Sequence, residues 1–188
     1  MTRYFIGLGS NIAPNRNVGE MLNALLRFLH RIDVSRIIET CPVGIPDAPG
    51  FLNLAASFLS EKDEDTLKRK FNQIEATLGR DRQDGERKWQ NRTADIDILF
   101  KLPARETSVK PTLIPPEPYV APGVVELIHY LDLEVEKAVL TDMKPGVEVE
   151  VGGVAIGKSP VTLQATWDGK ITVHEMQTVD RRIRNGRK

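Results

Sequence analysis

Gly79–Phe100, GRDRQDGERKWQNRTADIDILF, places a helix stop, a cation-rich loop and a strand in immediate succession. Gly79 suits the position just past the C-terminus of a helix. Asp95 and Asp97 then stand in an apolar run that ends at Phe100. A strand puts residues i and i+2 on one face, roughly 6.5–7 Å apart along the chain. Asp95 and Asp97 therefore point the same way, and Ile96 and Ile98 point into a core. Like charges at that spacing are unfavourable unless a cation lies beside them. A cation held by few carboxylates and shared with phosphates is usually Mg²⁺. Arg80, Arg82, Arg87 and Arg92, with Lys88, offer groups that suit phosphate oxygens. Metal and arginines together read as phosphoryl transfer from a nucleotide. The rival reading is the solvent face of an edge strand after a solvated basic loop. Cation and anion sites brought together by one short segment favour the first.

Working outward, the elements around this segment form an ordered series. Arg3–Leu8 is rich in aromatic and β-branched residues and reads as a strand running into the turn cluster Gly9-Ser10-Asn11. Val18, Met21, Leu22, Leu25 and Leu29 follow helical spacing. Val34–Thr40 reads as a second strand, followed by a loop punctuated by Pro42, Gly44, Pro46 and Pro49. Leu52–Ser60 is a mostly apolar third strand. A second helix carries Asp63, Glu64 and Asp65 at its positive end and the stripe Leu67, Phe71, Ile74, Leu78. With the Asp95 strand the order becomes β-α-β-β-α-β, the ferredoxin-like arrangement of an α+β fold. Beyond Phe100 lie a proline-rich connection, a helix expected within Val124–Leu133, and strands at Val147–Val151, Val161–Trp167 and Lys170–Val173. The expected division is a catalytic domain over 1–135 and a β-rich extension over 136–188.

The chain has 188 residues, with Lys+Arg and Asp+Glu both 26, so no general attraction to nucleic acid or membrane is expected. The basic tail Arg181–Lys188 reads as a solvated terminus. The single cysteine, Cys41, excludes an internal disulfide framework. It has no local histidine and reads as a small packing residue. Without a membrane-length apolar run or a signal-peptide pattern, the expected location is the cytoplasm. Gly152–Ser159, GGVAIGKS, satisfies the written pattern of a phosphate-binding loop. That loop needs a helix to follow, and Pro160-Val161-Thr162-Leu163 is strand-like, so the match is refused. Gly7-x-Gly9 reads only as a strand end turning tightly.

Five motifs in order carry a resemblance over about the first hundred residues: Gly7-Leu8-Gly9-Ser10-Asn11; Glu39-Thr40-Cys41-Pro42-Val43-Gly44; Phe51-Leu52-Asn53; Ile74-Glu75-x-x-Leu78-Gly79-Arg80; and Trp89-x-x-Arg92-Thr93-x-Asp95-x-Asp97. Together they resemble the 6-hydroxymethyl-7,8-dihydropterin pyrophosphokinases of folate biosynthesis. The resemblance implies a three-layer α/β/α sandwich and transfer of pyrophosphate from ATP to the pterin hydroxymethyl oxygen, releasing AMP. It implies that Asp95 and Asp97 hold two Mg²⁺ ions bridging the ATP phosphates, one of the two also assisting the attacking hydroxyl. Arg92, with Arg80 or Arg82, would bind phosphates and stabilise displaced charge, while Glu75 and Trp89 shape the ATP site. Thr40, Pro42 and Val43 would meet the pterin edge, Asn53 would hydrogen-bond the ring and Phe51 would stack on it. The family usually continues with a Pro-His-Pro-like segment, an arginine and a phenylalanine. Here Leu113–Tyr119 (LIPPEPY) stands in that place, and Tyr119, His129 and Tyr130 are the candidate substitutes. Two alternatives stand beside this reading. One is a diverged pyrophosphokinase for another pterin, as in a methanopterin-like pathway; the other is a non-catalytic binding module. The second has no need of adjacent, mutually repelling carboxylates.

Overall fold

The computed structural model describes residues 1–42, 49–80, 91–135 and 144–175. Its elements are β1 (Thr2–Ser10), α1 (Pro14–Leu29), β2 (Arg31–Val34), β3 (Ile38–Thr40), β4 (Phe51–Ser60), α2 (Glu64–Thr77) and β5 (Asp95–Pro103). There follow β6 (Ser108–Val109), a 3₁₀ turn (Pro111–Leu113), α3 (Ala121–Tyr130), β7 (Glu134–Val135), β8 (Val149–Val151), β9 (Val154–Ile156), β10 (Val161–Ala165) and β11 (Ile171–His174). The fold is α+β. Its main sheet has seven strands in the order β11-β10-β2-β4-β1-β5, with β3 also paired to β4, and every pairing in it is antiparallel. β6 and β7 form a separate parallel pair, and β8 and β9 a hairpin.

Local chemistry accounts for the helices. Pro14 sits in the first turn of α1, where its missing N–H costs nothing. Of the predicted stripe, Val18, Met21, Leu22 and Leu25 are fully buried and Leu29, at the helix end, is partly buried. In α2 the Asp63 carboxylate accepts from Thr66 N at 2.7 Å, capping the helix. Gly79, at φ +84°, lets the chain leave it in a left-handed turn.

Alternation along the strands splits the apolar residues between the two sheet faces. Tyr4, Ile6 and Leu8 of β1 join α1 and α2 in one cluster, with Leu54, Phe58 and Ile96. Phe5 and Ala55 join α3 in the other, through Val124, Leu127 and Ile128. Phe5 and Phe100 stack there with ring centroids 4.4 Å apart.

The strand expected over Val34–Thr40 is broken in two. Val34 pairs with Ala56 and Ile38 with Asn53, so four steps along one strand oppose three along the other. That is a β-bulge, which bends the strand. The Ser35 hydroxyl sustains it by accepting from Ala55 N at 2.9 Å. The strands expected late in the chain are present: β8 and β10 are shorter than expected, and β11 is shifted by one residue. The refused glycine motif is a β-turn between β8 and β9, with Gly152 and Gly153 at positive φ, followed by β9 and a second turn.

β10 joins the edge of β2, with Leu163 opposite Ile32, and Leu163 is fully buried in the same cluster as α1. A polar chain reinforces the seam: Tyr130 OH lies 3.0 Å from Thr162 Oγ1, and Thr162 Oγ1 donates to Asp33 Oδ1 at 2.7 Å. No helix among the described residues is long and apolar enough to cross a membrane.

Because Leu163 shares the core of α1, Leu163→Ala should lower the stability of the whole chain by about 2–5 kcal/mol in a single urea transition. Two resolved transitions, with the early residues unaffected, would contradict this.

Candidate active site

The site lies where β5, β1 and β4 run side by side. Asp95 pairs with Gly9 and Asp97 with Gly7, while Gly9 pairs on its other side with Asn53. Directly paired residues of an antiparallel sheet share a face. One face therefore carries, in sequence across the sheet, two carboxylates, two glycines and the Asn53 carboxamide. The glycines stand within a regular strand; they do not turn a strand end, which corrects the sequence expectation. Their purpose is steric. A Cβ on Gly9 would lie 2.7 Å from Asn53 Oδ1. With no side chain there, the Asn53 carboxamide lies over Gly9, while Leu99 and Val120 pack over Gly7.

On the far side of Gly9, Asn53 Nδ2 donates to Thr40 Oγ1 at 2.7 Å, and both residues are buried. The register Thr40↔Phe51 puts the half-buried Phe51 ring beside them on the same face. Pro42 follows two residues after Thr40 and is half-buried, with Cys41 exposed between them. Val43 lies outside the described residues.

On the near side, Asp95 is held by two arginines. Arg80 Nη1 donates to Asp95 Oδ1 at 2.6 Å, and Arg92 Nη1 donates to Asp95 Oδ2. Arg80 reaches this point because α2 ends at Thr77 and turns at Gly79. Its Nη1 also donates to Glu75 Oε1 at 2.6 Å and to the Ala94 carbonyl at 3.2 Å. Glu75 is 1% exposed, and its Oε1 also accepts from Ile96 N at 2.8 Å. A carboxylate so deeply buried costs several kcal/mol unless paired and hydrogen-bonded. Here it satisfies the outward N–H of edge strand β5 and anchors Arg80. Burial works against the Arg80 charge, but Asp95 and Glu75 outweigh it and leave the guanidinium more firmly protonated than usual.

Arg92 is placed by residues whose part the sequence reading missed. Asn11 Oδ1 accepts from Arg92 N at 2.7 Å, and the Arg92 carbonyl accepts from Asn11 N at 3.0 Å and Ser10 Oγ at 3.3 Å. Asn11 Nδ2 donates to Asn91 Oδ1 at 2.7 Å. The available signal was a polar Ser-Asn pair directly after a buried strand, where both side chains are themselves nearly inaccessible. Arg82 and Trp89 lie outside the described residues.

Asp97 is exposed on one side, yet its carboxyl titrates above the usual carboxylate range. The protein mass around it is the first cause, followed by the negative charges of Asp95 and Glu75; Arg80 and Arg92 offset part of this. Uncompensated negative charge on hard oxygen donors suits a divalent cation. Among the described residues no group of three or more His, Cys, Asp or Glu gathers, so a cation here would draw further oxygens from a phosphorylated ligand.

Of the candidate substitutes downstream, the structure brings Tyr119 alone to the site. Burial, then Glu117, then Asp95 and Asp97 raise its hydroxyl pKa. α3 runs from Ala121, just after Val120, which packs against Gly7, to Tyr130, whose hydroxyl lies 2.9 Å from the His174 carbonyl. His129 and Tyr130 thus stand at the other end of the helix, about 15 Å away.

The family model described as 7,8-dihydro-6-hydroxymethylpterin-pyrophosphokinase matches residues 5–122. The 2-amino-4-hydroxy-6-hydroxymethyldihydropteridine pyrophosphokinase of Bacillus subtilis (strain 168) is 34% identical over 143 residues, covering 71% of this chain and 83% of its own length. Proteins of the same name from Methylorubrum extorquens and Haemophilus influenzae are 36% and 32% identical over 105 and 103 residues. Each match covers 53% of this chain, and 63% and 62% of those relatives.

The direction of the Asp97 shift makes a stability prediction. A carboxyl with a folded pKa above its unfolded one destabilises the fold once charged. The penalty is absent below the unfolded pKa and complete above the folded one. Asp97→Asn should therefore raise the Tm at about pH 7, and the gain should vanish below about pH 4. Thermal unfolding at both pH values checks this; an unchanged or lower Tm at the higher pH would count against it.

Proposed function

This chain belongs to the 7,8-dihydro-6-hydroxymethylpterin-pyrophosphokinase family, and from that premise we infer the reaction it performs. It transfers the β,γ-pyrophosphoryl unit of ATP to the hydroxymethyl oxygen of 6-hydroxymethyl-7,8-dihydropterin, releasing AMP, in folate biosynthesis. A bond forms between that oxygen and the β-phosphorus while the bond from the β-phosphorus to the α–β bridging oxygen breaks. The hydroxyl proton is lost, and the electron pair leaves with AMP.

The observation that carries the reading is the order of groups across one sheet face. A carboxylate pair flanked by arginines faces, across Gly7 and Gly9, a buried Asn53–Thr40 amide–hydroxyl pair with Phe51 beside it. One wall suits phosphates and the other a flat heterocycle with donors and acceptors at its edge. Asp95 and Asp97 would hold Mg²⁺, two ions in our reading, which neutralises the polyphosphate charge when bound. Arg92 and Arg80, now turned onto Asp95, are within reach to exchange that carboxylate for phosphate oxygens, with Arg82 as a further candidate. Glu75 serves the phosphate wall by fixing Arg80, and Trp89 is the further residue the reading assigns to ATP. Thr40, Pro42 and Val43 present the pterin edge, Asn53 hydrogen-bonds the ring and Phe51 stacks on it. In-line displacement at phosphorus needs this kind of positioning and charge neutralisation more than covalent help.

The same reading takes the core as a ferredoxin-like βαββαβ unit within a three-layer α/β/α sandwich. Residues 1–135 form its catalytic part, and residues 136–188 are an extension. Its setting is the cytoplasm.

Purified protein supplied with Mg²⁺, ATP and 6-hydroxymethyl-7,8-dihydropterin should produce AMP only when all three are present. Asp95→Ala and Asp97→Ala should each lower kcat/KM by about a thousandfold or more. AMP formed without the pterin, or full activity in either variant, would refute the assignment.

A further inference from the structure

The pterin wall is built on a strand whose outer edge belongs to another part of the chain. β3 pairs with β4 along one side only. On its open side, Ile37 N donates to the Gly157 carbonyl at 2.9 Å, and Val147 N donates to the Ile37 carbonyl at 2.8 Å. Lys144 Nζ donates to the Glu39 carbonyl at 3.0 Å. The next residue after Glu39 is Thr40, whose hydroxyl holds the Asn53 carboxamide. Residues 144–158 thus fill the hydrogen-bonding edge that a neighbouring strand would otherwise fill.

Two further features tie this strap down. Arg36, at the bulge, donates from Nη1 to the Lys144 carbonyl at 3.2 Å, and its Nε donates to Glu126 Oε1 of α3 at 3.2 Å. Gly146 and Gly157 let the two arms of the strap touch. A Cβ on Gly157 would lie 2.2 Å from the Val147 carbonyl and 3.0 Å from Ile37 Cδ1, and its φ of +112° already disfavours a side chain. Ile37 itself is fully buried against Val149 and Ile156. The family match ends at residue 122, so this strap lies beyond it.

We propose that residues 144–158 position the pterin wall, with Lys144 and Gly157 acting on pterin affinity through β3 and the Thr40–Asn53 pair. The phosphate wall has different supports, in α2 and in Ser10–Asn11, so ATP affinity does not depend on the strap. The proposal rests on the pyrophosphokinase reading above.

The test is steady-state kinetics on the full chain, varying pterin and ATP separately. Lys144 is exposed, so Lys144→Met leaves the fold intact. It should raise KM for 6-hydroxymethyl-7,8-dihydropterin about threefold to tenfold, with KM for ATP unchanged. Lys144→Arg should restore the pterin KM. Gly157→Ala, which must push the strap off Ile37, should raise the pterin KM about tenfold or more. If Gly157→Ala does not fold, the lysine pair decides alone. Unchanged pterin KM in folded variants, or equal rises for both substrates, would overturn the positioning role while the unaltered protein remains active. An unaltered protein that forms no AMP would instead overturn the pyrophosphokinase reading and this proposal with it.

Discussion

Two carboxylates on one face of an edge strand repel each other, and the surrounding structure is organised around that repulsion. Arg80 and Arg92 close on Asp95 from opposite sides. Each is delivered by its own support: Arg80 by the end of α2 and buried Glu75, Arg92 by the backbone clamp of Ser10 and Asn11. Asp97 receives less compensation and keeps a raised proton affinity. Charge is thus balanced at one aspartate and left in excess at the other. That asymmetry suits the proposed role of the site, in which a metal–polyphosphate complex would be drawn to the carboxylates. The residue that keeps Glu75 buried and useful is Ile96, whose N–H would otherwise face outward from the sheet edge. Metal wall and strand edge are therefore stabilised by one carboxylate.

Much of this was legible before any coordinates. Alternation in Asp95–Ile98 places the carboxylates on one face and the isoleucines on the other, because a strand has no freedom to do otherwise. The helical stripes of α1 and α2, and the Gly79 stop, are likewise local consequences of local chemistry. What escaped is non-local. Nothing in Gly7-x-Gly9 says that its neighbours across the sheet will be Asp97, Asp95 and Asn53, and without those partners a glycine in a strand reads as a turn. The bulge at Ser35 was hidden for the same reason, since it depends on a hydroxyl meeting Ala55 N twenty residues on. The β patterns of Val149–His174 announce strands but carry no address. That β10 would join β2 is decided by the fit of Leu163 against Ile32 and of Thr162 against Asp33.

The two proposed walls differ in how they are held, and the difference suits the substrate proposed for each. The proposed phosphate wall is a web of ion pairs around Asp95. The proposed pterin wall is a hydrogen-bonded amide–hydroxyl pair on a strand braced from both edges, with no charged side chain in the Thr40–Asn53 contact. A planar heterocycle is recognised by fixed donors and acceptors, and their value falls steeply with misalignment. Rigidity belongs on that side. Phosphate oxygens are many, charged and equivalent, so mobility of the guanidinium groups costs little there.

Between these two sets of groups runs β1, and its Gly9 leaves room for the Asn53 carboxamide. Any side chain at position 9 would collide with Asn53. The same strand pairs with β5 at Asp95 and Asp97 and with β4 at Asn53, so it fixes the spacing of carboxylates and carboxamide at two interstrand steps, about 9.5 Å. Backbone hydrogen bonding, the least deformable element available, therefore sets the relative placement of the groups that the proposed reaction would use.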